Sequence, residues 1–441
     1  MKTHLSNAAY GILDYAAYPI GMLVVAPVML RNLGVPQYGI WAVVTAAVST
    51  GSIVASGFGD ANIQHVAMQR SVGDPDALLR AVRSTMGIHL ILGAAIALIS
   101  WMVAPYVARH VTAADADLQS ACLWSLRIAS VVILVRTIET VCISTQRAFE
   151  RYGAAVRISI FVRLLTLAAA AMLSSVGQSV VSIMVATAVL IVLGLWLQMA
   201  RLKELLHTES LAPAFDREAT RALFAFGIFS WLQAVSGVIF SQTDRLITGV
   251  SLGATAVASY ALCVQMAQPI YGFAASGLHF VFPYLAQRRA TTSAQEMRKA
   301  VLLAFIANLS LVALGTATLL LFGNRILHAW GGDAIAQSST RILPLVVWSS
   351  ALLGLNVTGT YAMLALGRVR VITWINLGSG GIMLLLIMWL LPRYGVYGVA
   401  MARFCYSPIT LLLYIPLLSL LYFGSDIGMH MATTVPTCEE V

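Results

Sequence analysis

Charged side chains are scarce in this chain. Asp, Glu, Lys and Arg make up 10% of the 441 residues, and hydrophobic residues make up 59%. The mean hydropathy is +0.84. A soluble domain carries roughly 25% charged residues. Because a globular core cannot hide this much apolar surface, the composition predicts a protein whose solvent is lipid.

The sequence also lacks the common motifs of catalysis and cofactor binding. It contains no GxSxG, HExxH or GxxxxGK[ST] pattern, and its five cysteines form no CxxC pair. The loops between apolar runs reach about 25 residues at most, which is too short for a folded domain outside a membrane. We therefore expect a protein that is not an enzyme and binds no metal or cofactor.

Acidic residues are outnumbered by basic ones, 18 to 27, which gives a formal net charge of +9. The basic residues lie in short loops instead of on one soluble face, so we expect no nucleic-acid partner. Most of them fall in alternate loops, and the positive-inside rule then places both termini in the cytoplasm. The predicted cytoplasmic loops hold Arg70, Arg80, Arg83, Arg147, Arg151, Arg201, Lys203, Arg217, Arg221, Arg288, Arg289, Arg298, Lys299, Arg368 and Arg370, and the opposite loops hold Arg31, Arg109, Arg325, Arg341 and Arg393.

Apolar runs long enough to cross a bilayer occur twelve times, at about 20 residues per crossing. Helices are expected for all of them, because an open strand edge cannot be satisfied in lipid. The fold class is therefore an all-α polytopic membrane protein. The predicted spans are Ala8–Leu30, Tyr38–Phe58, Thr85–Val107, Leu118–Ser144, Val156–Val176, Ser179–Met199, Ala222–Val250, Ala256–Val281, Val301–Phe322, Ile342–Leu366, Val371–Leu391 and Val396–Phe423.

Short turn sequences recur at a constant distance along the chain. A Leu-Gly pair at Gly34 ends one apolar run, and a second Leu-Gly pair, at Gly253, ends another apolar run roughly 220 residues later. Ser175–Gln178 and Arg393–Val396 are separated by nearly the same distance. The shared spacing predicts two similar halves.

The polar connector Arg201–Arg221 is the expected boundary between these halves, which gives six-helix lobes at residues 1–210 and 211–441. Six crossings return the chain to the side on which it began. The two lobes are therefore predicted to be parallel repeats, with a transport path in a central cavity between them.

Four stretches carry a resemblance to a known family: LGVPQYGIW from Leu33, QRAFERYG from Gln146, QTDRLITGVSLGATAVASY from Gln242 and RYGVYGVAMA from Arg393. They resemble bacterial polysaccharide-biosynthesis membrane proteins, the lipid-linked oligosaccharide flippases of O-antigen and capsule pathways. The whole chain is similar to the superfamily that also includes multidrug extrusion antiporters and the peptidoglycan lipid flippase. The resemblance implies alternating access and a polyprenyl-pyrophosphate-linked oligosaccharide moved to the outer leaflet of the bacterial inner membrane.

Arginines inside the spans are the candidates for recognising such an anionic cargo. An arginine at mid-bilayer costs about 2.5–3.5 kcal/mol, so it should face water or a partner. Its planar fork also suits phosphate oxygens. The candidate cargo-binding residues are Arg136, Arg245 and Arg403, with Arg163 behind them and with Gln233, Gln242, Gln265 and Gln268 along the path of the glycan.

Carboxylates inside the spans are the candidates for coupling transport to a proton or sodium gradient, and whether coupling exists stays open. Asp14 has no neighbour one turn away that could neutralise it. Glu139 lies three residues from Arg136, so the two share a helix face and can pair. Asp244 is expected to hold its neighbour Arg245.

Pro19 and Pro27 interrupt the hydrogen-bond ladder of the first span and are a candidate gate. Each site residue also has a structural explanation. Proline kinks are tolerated by neighbouring helices, Arg163 can snorkel to the surface, and Arg136 with Glu139 can be an ion pair that only joins packed helices.

Two alternative functions remain at this stage. An ion-coupled exporter of cationic drugs would have the same architecture, and an acidic cavity would favour it over the flippase. A membrane glycosyltransferase or polymerase would need a large outer loop with catalytic carboxylates, which the short outer loops disfavour. Beyond the cargo, the expected partners are membrane lipid and other polysaccharide-assembly proteins.

Overall fold

A computed structural model describes residues 2–112, 115–149, 152–216, 228, 231–232, 235–237, 242–278, 281–288 and 293–423. Side chains are described from residue 20 onward, except at 56, 60, 71, 72, 152, 154, 283, 286–288, 294 and 423. Regular structure in these ranges is helical throughout. The α-helices are α1 (Lys2–Ser56), α2 (Gly59–Val72), α3 (Pro75–Thr112), α4 (Ala116–Ala148), α5 (Tyr152–Ser175), α6 (Val180–Leu206), α7 (Asp244–Leu252), α8 (Ala254–Gly277), α9 (Val281–Arg288), α10 (Ala294–Ser339), α11 (Ile342–Ala365), α12 (Val369–Thr410) and α13 (Tyr414–Phe423).

Seven helical stretches of the described chain are long and apolar enough to cross a membrane, which makes this a multi-pass membrane protein. Three helices contain a glycine with non-helical backbone and so hold two segments each: α1 at Gly34, α10 at Gly332 and α12 at Gly395. With α4 and α8 included, the described helices cover eleven of the twelve predicted spans. About half of the seventh span lies outside the described residues, and α7 is its described end.

The predicted turns at Gly34 and Gly253 have nearly the same backbone conformation. Gly34 has φ 75° and ψ 167°, and Gly253 has φ 85° and ψ 174°. Only glycine populates this region without strain, because it has no β-carbon. Turns with positive φ also occur at Gly177 and Gly395, the second pair that the sequence repeat relates.

These glycine turns lie at one end of the helix bundle, which we call the Gly34 end. We call the opposite end of the bundle the Arg70 end. Helices α1–α6 are called the N-half and α7–α13 the C-half. The predicted boundary between residues 210 and 211 falls in a segment without regular structure that follows α6. The division into two lobes stays a prediction.

The N-half and the C-half pack together through α1 and α8. The core that they share contains Tyr38 and Val43 from α1 and Val257 and Leu262 from α8, all fully or almost fully buried. The backbone of α1 approaches α8 so closely at Gly39 that a β-carbon there would overlap the carbonyl oxygen of Ala254. A separate apolar core fills the C-half.

The segment after α6 is fastened to α3 near the Arg70 end. The guanidinium of Arg83 donates to the carbonyl oxygen of Ser210 at 2.8 Å. The amide of Asp216 donates to the hydroxyl of Ser84 at 2.7 Å. Leu211 is 3% exposed and packs into a small apolar cluster of the N-half. The described part of the connector is therefore an ordered strap.

Candidate functional site

The C-half contains a cavity of about 330 Å³ that brings three of the predicted cargo-binding residues together. These are Arg245 on α7, Gln268 on α8 and Arg403 on α12. Its other described lining residues are mostly polar or aromatic. They are Gly237, Val264, Tyr271, Ser350, Leu353, Asn356, Val357, Thr360, Tyr361, Asn376 and Thr410.

Among the residues that line this cavity, Arg245 gives the strongest indication of ligand binding. The residue is 8% exposed, and its Nε atom is buried without a hydrogen-bond partner among the described residues. A π-helical turn at Gln242 and Thr243 precedes it. Such turns often occur at functional sites, because they re-aim the side chains that follow. A buried guanidinium with an unused donor is costly, so the cavity favours an anion.

Asp244 lies beside this cavity and pairs with Arg403. Its Oδ2 atom forms an ion pair with the Arg403 guanidinium and accepts a hydrogen bond from the Tyr260 hydroxyl at 2.5 Å. Its Oδ1 atom accepts the backbone N–H of Arg245 at 2.8 Å. Asp244 has no exposed surface. The first two of these contacts tie α7 to α12 and to α8.

The pairing of Arg245 with Asp244 that the sequence predicts is therefore wrong. Adjacent residues on a helix point about 100° apart, so their side chains do not face each other. The Asp244 carboxylate instead pairs with Arg403, which lies 159 residues away in the sequence.

The N-half contains a second cavity of about 280 Å³, and two arginines line it. Arg136 comes from α4 and Arg163 from α5. The other described lining residues are Trp41, Thr45, Val48, Ser49, Ser52, Ile53, Val132, Thr166, Leu167, Ala170, Met184, Thr187 and Ile191. The predicted cation set is thus divided between two cavities, one in each half.

Arg136 and Glu139 form the predicted ion pair on α4. Nη1 of Arg136 lies 2.7 Å from Oε2 of Glu139, and their side chains are 27% and 2% exposed. The second oxygen of Glu139 is buried and has no hydrogen-bond partner in the described chain. Arg136 therefore reaches the cavity while its partner stays behind it.

The arginines of the two cavities lie at different depths along the bundle. Arg245 and Arg403 are each eight residues from the glycine turns at Gly253 and Gly395, or about 12 Å at 1.5 Å per residue. Arg163 is fourteen residues from Gly177, or about 21 Å from the Gly34 end. The C-half arginines therefore lie nearer to the Gly34 end than the N-half arginines do.

Gln265 faces the contact between the halves instead of the cavity. The hydroxyl of Tyr38 on α1 donates to its Oε1 atom at 2.7 Å, and Gln265 is 8% exposed. Gln242 is partly buried in the π-helical turn, and its Oε1 atom has no hydrogen-bond partner among the described residues. Gln233 lies outside the described residues.

The coupling and gating candidates on the first helix are only partly described. The side chains of Asp14 and Pro19 lie outside the described residues. The backbone of α1 is helical through Pro19 and Pro27 and departs from helical angles at Gly34. The roles of Asp14, Pro19 and Pro27 stay predictions.

Sequence reasoning missed three polar residues at this site. Tyr260 holds Asp244, and Asn356 and Asn376 line the C-half cavity. Asparagine inside an apolar run is costly, as glutamine is, because burial of a side-chain amide costs free energy unless the amide is hydrogen-bonded. Extending the search from glutamine to asparagine would have found Asn356 and Asn376. No local pattern marks Tyr260.

A family description, "Polysaccharide biosynthesis protein", matches residues 28–327. The chain belongs to this polysaccharide biosynthesis family. The matched range covers the N-half from residue 28 onward, α7 to α9 and most of α10. It therefore contains the arginines of both cavities except Arg403. No curated protein matches the chain.

Solved transporter structures share the fold of this polysaccharide biosynthesis protein. The lipid II flippase MurJ, in an inward closed conformation, aligns with TM-score 0.75 and 12% identity over 94% of this chain and 87% of MurJ. An inward-facing multidrug resistance MATE family transporter aligns with TM-score 0.68 and 15% identity over 94% and 96% of the two chains.

A third similar structure is a MOP superfamily transporter from Pyrococcus furiosus, which is described as having a reverse polarity of its binding pocket. It aligns with TM-score 0.60 and 14% identity over 93% of this chain and 96% of that one. At these identities the likeness establishes the fold, which is that of MOP superfamily transporters.

Proposed function

We propose that this member of the polysaccharide biosynthesis family is a flippase for a polyprenyl-pyrophosphate-linked oligosaccharide. It would move this cargo from the cytoplasmic to the outer leaflet of a bacterial inner membrane, for assembly of a surface polysaccharide such as O-antigen. The observation that carries the proposal is Arg245, a buried arginine with an unpartnered Nε atom on the wall of the C-half cavity.

The charge of both cavities supports an anionic cargo over a cationic drug. Their described lining residues include four arginines and no carboxylate. The nearby carboxylates, Asp244 and Glu139, are buried behind Arg403 and Arg136 and are paired with them. A drug cation would meet guanidinium groups and would have to lose its hydration without compensation. The drug exporter remains the rival proposal.

The different depths of the arginines support a route for the pyrophosphate. The positive-inside rule makes the Arg70 end cytoplasmic and the Gly34 end outer, with both termini inside. On that assignment the N-half arginines lie nearer to the cytoplasm. A pyrophosphate entering from the cytoplasm would reach Arg136 and Arg163 first and Arg245 and Arg403 later. Each step would replace one set of charge-assisted hydrogen bonds by another.

The two ion pairs would compensate the charges of Arg403 and Arg136 when no cargo is bound. Arg403 and Arg136 would exchange their carboxylate partners for phosphate oxygens when the cargo binds. Asp244 and Glu139 would then need another positive charge, and a proton is the simplest one. This is the basis for proposing coupling to a proton or sodium gradient at these residues, with Asp14 as the third candidate.

Binding of simple probes tests the proposal. We would measure binding of farnesyl pyrophosphate, farnesol and tetraphenylphosphonium to the purified chain. We expect farnesyl pyrophosphate to bind and farnesol to bind poorly. Arg245→Ala should weaken pyrophosphate binding at least about tenfold, because a hydrogen bond to a charged group contributes about 1.5–3 kcal/mol. The affinity of Arg245→Lys for farnesyl pyrophosphate should be intermediate between those of the wild type and Arg245→Ala. Lysine keeps the positive charge but lacks the planar guanidinium that can donate two parallel hydrogen bonds.

Arg325→Ala is the matched control, because Arg325 is exposed and lines neither cavity. Its binding should equal that of the wild type. The same variants should show parallel effects on surface polysaccharide in cells at equal membrane levels. Tight binding of tetraphenylphosphonium without binding of farnesyl pyrophosphate would replace the flippase by the drug exporter, and sugar transfer by the purified chain would favour the membrane enzyme.

A further inference from the structure

An apolar groove of about 510 Å³ lies on the outside of the C-half, between the first turns of α10 and the last helix, α13. Val301, Leu302 and Phe305 form one wall, and Leu417, Leu418 and Leu421 form the other. Phe305 and Tyr414 meet edge to face at its inner end, with ring centroids 5.6 Å apart. The groove is therefore a slot with apolar sides.

The other end of the groove carries positive charge. Arg298 and Lys299 line it together with Gln295 and Tyr422, and no carboxylate lines it in the described chain. Glu296 is exposed on the same turn and does not line the groove. An apolar slot that ends in two cations matches the shape of a lipid with an acyl chain and an anionic headgroup.

Arg298 is held in place at this mouth. Its Nε atom donates to the carbonyl oxygen of Leu421, and its Nη2 atom donates to that of Tyr422 at 3.3 Å. Its guanidinium also lies 4.4 Å from the centroid of the Tyr422 ring. These contacts cap the C-terminal carbonyl groups of α13. They do not use Nη1, so the charge is fixed and retains donors for a ligand.

The depth of the groove agrees with one leaflet of a bilayer. From Gln295 to Phe305, which both line the groove, α10 advances ten residues, or about 15 Å. Half of a hydrocarbon core is about 15 Å. The apolar run of α10 starts immediately after Lys299, which puts Lys299 at the level of the lipid headgroups. The cations and the slot thus lie where a phosphate and its acyl chain would be.

The groove is separate from the cargo cavities. Helix α11 contributes Leu355 to the groove and Asn356 to the C-half cavity, and the two share no lining residue in the described chain. A cargo lipid that occupied the groove would hold its pyrophosphate outside the arginine cavities. We propose that the groove is a binding site for one anionic phospholipid of the surrounding leaflet, with its phosphate on Arg298 and Lys299 and one acyl chain along α10 and α13.

Native mass spectrometry of the purified full chain tests this site. The protein is mixed with equal amounts of dioleoyl phosphatidylglycerol and dioleoyl phosphatidylcholine, and retained lipids are counted. We expect one phosphatidylglycerol to be retained in preference to phosphatidylcholine. Lys299→Gln should lower that preference about fivefold, since a basic residue near the headgroups contributes about 1 kcal/mol. Leu418→Trp should remove the lipid by filling the slot while both cations remain.

Arg368→Gln is the control, because Arg368 is exposed at the same end of the bundle and does not line the groove. It should retain phosphatidylglycerol as the wild type does. Arg298→Gln can loosen α13, so the test rests on Lys299→Gln and Leu418→Trp. Equal retention of the two lipids, or an unchanged preference in Lys299→Gln, would overturn the proposal. Displacement of the lipid by farnesyl pyrophosphate at equal concentration would also overturn it and assign the groove to the cargo.

Discussion

Asp244 illustrates, at the scale of single residues, how this protein keeps charges inside a membrane. A carboxylate without exposed surface is stable as an anion only when a cation and hydrogen bonds compensate it. Arg403 supplies the charge, and Tyr260 and the backbone of Arg245 supply the hydrogen bonds. Arg245 and Arg403 also line the C-half cavity, so stability and the proposed cargo recognition depend on one arrangement.

Removal of one partner should therefore cost more stability than removal of both. We expect Arg403→Ala to lower the free energy of unfolding by about 3–5 kcal/mol, because it leaves Asp244 buried and unpaired. Adding Asp244→Asn to that variant should restore part of the loss. Thermal unfolding in one detergent measures both, and Arg325→Ala serves as the surface control.

A double-mutant cycle gives the pairwise energy of Asp244 and Arg403. If the double variant loses as much as the sum of the two single variants, the ion pair contributes nothing specific. The network would then be a set of independent contacts, and the proposed exchange of Arg403 from Asp244 to a phosphate would lose its basis.

The sequence predicts contacts within one helix better than contacts between helices. The three-residue spacing of Arg136 and Glu139 predicts a contact, and the structure confirms it, because that spacing fixes the geometry within one helix. Arg403 and Tyr260 reach Asp244 from other helices. Their approach depends on helix packing, for which a single sequence contains no local signal.

At the scale of elements, hydropathy finds the part of a helix that lies in lipid and not the end of the helix. The apolar run Ser179–Met199 predicts a span, yet α6 continues to Leu206. Residues 201–206 are mostly good helix formers, and a helix can extend into water beyond the bilayer. Hydropathy also does not predict the short helices α2 and α9, because their sequences are too polar to form distinct apolar runs.

Glycine turns, by contrast, are visible in the sequence because only glycine fits them. Gly253 joins α7 to α8 with φ 85°, and a β-carbon there would lie 3.3 Å from the carbonyl oxygen of Val111. We expect Gly253→Ala to lower the free energy of unfolding by about 1–3 kcal/mol, the usual range for a strained backbone position. Thermal unfolding and the amount of folded protein in membranes measure this.

Gly378→Ala is the matched control. Gly378 is exposed within α12, and nothing lies within 4 Å of a β-carbon placed there. Alanine should be neutral or stabilising at this site, by about 0.5–1 kcal/mol, since glycine is a poor helix former. Equal stability of Gly253→Ala and Gly378→Ala would mean that the turn tolerates a side chain and that the repeat of Gly34 at Gly253 has no conformational basis.

At the scale of the whole molecule, several of the described contacts between the halves lie toward the Gly34 end. Gly39 lies directly against Ala254, and the Arg31 guanidinium donates to the carbonyl oxygen of Ala329. The Tyr38 hydroxyl bonds to Gln265 below them. Alternating access requires such contacts to break when the other end closes. The absence of a side chain at Gly39 is what permits the close approach.

A side chain at Gly39 should therefore open the Gly34 end. We expect Gly39→Val to lengthen the distance between spin labels at positions 32 and 333, which lie on the two halves at this end, because the new side chain would overlap Ala254. Pulsed electron spin resonance on the labelled chain measures the distance distribution. Gly51→Ala is the control on the same helix: its β-carbon would meet Ile133 within the N-half, so it should change stability and leave the distance unchanged. Identical distributions in Gly39→Val and the parent would mean that the halves do not separate here, and alternating access would then need a hinge inside one half.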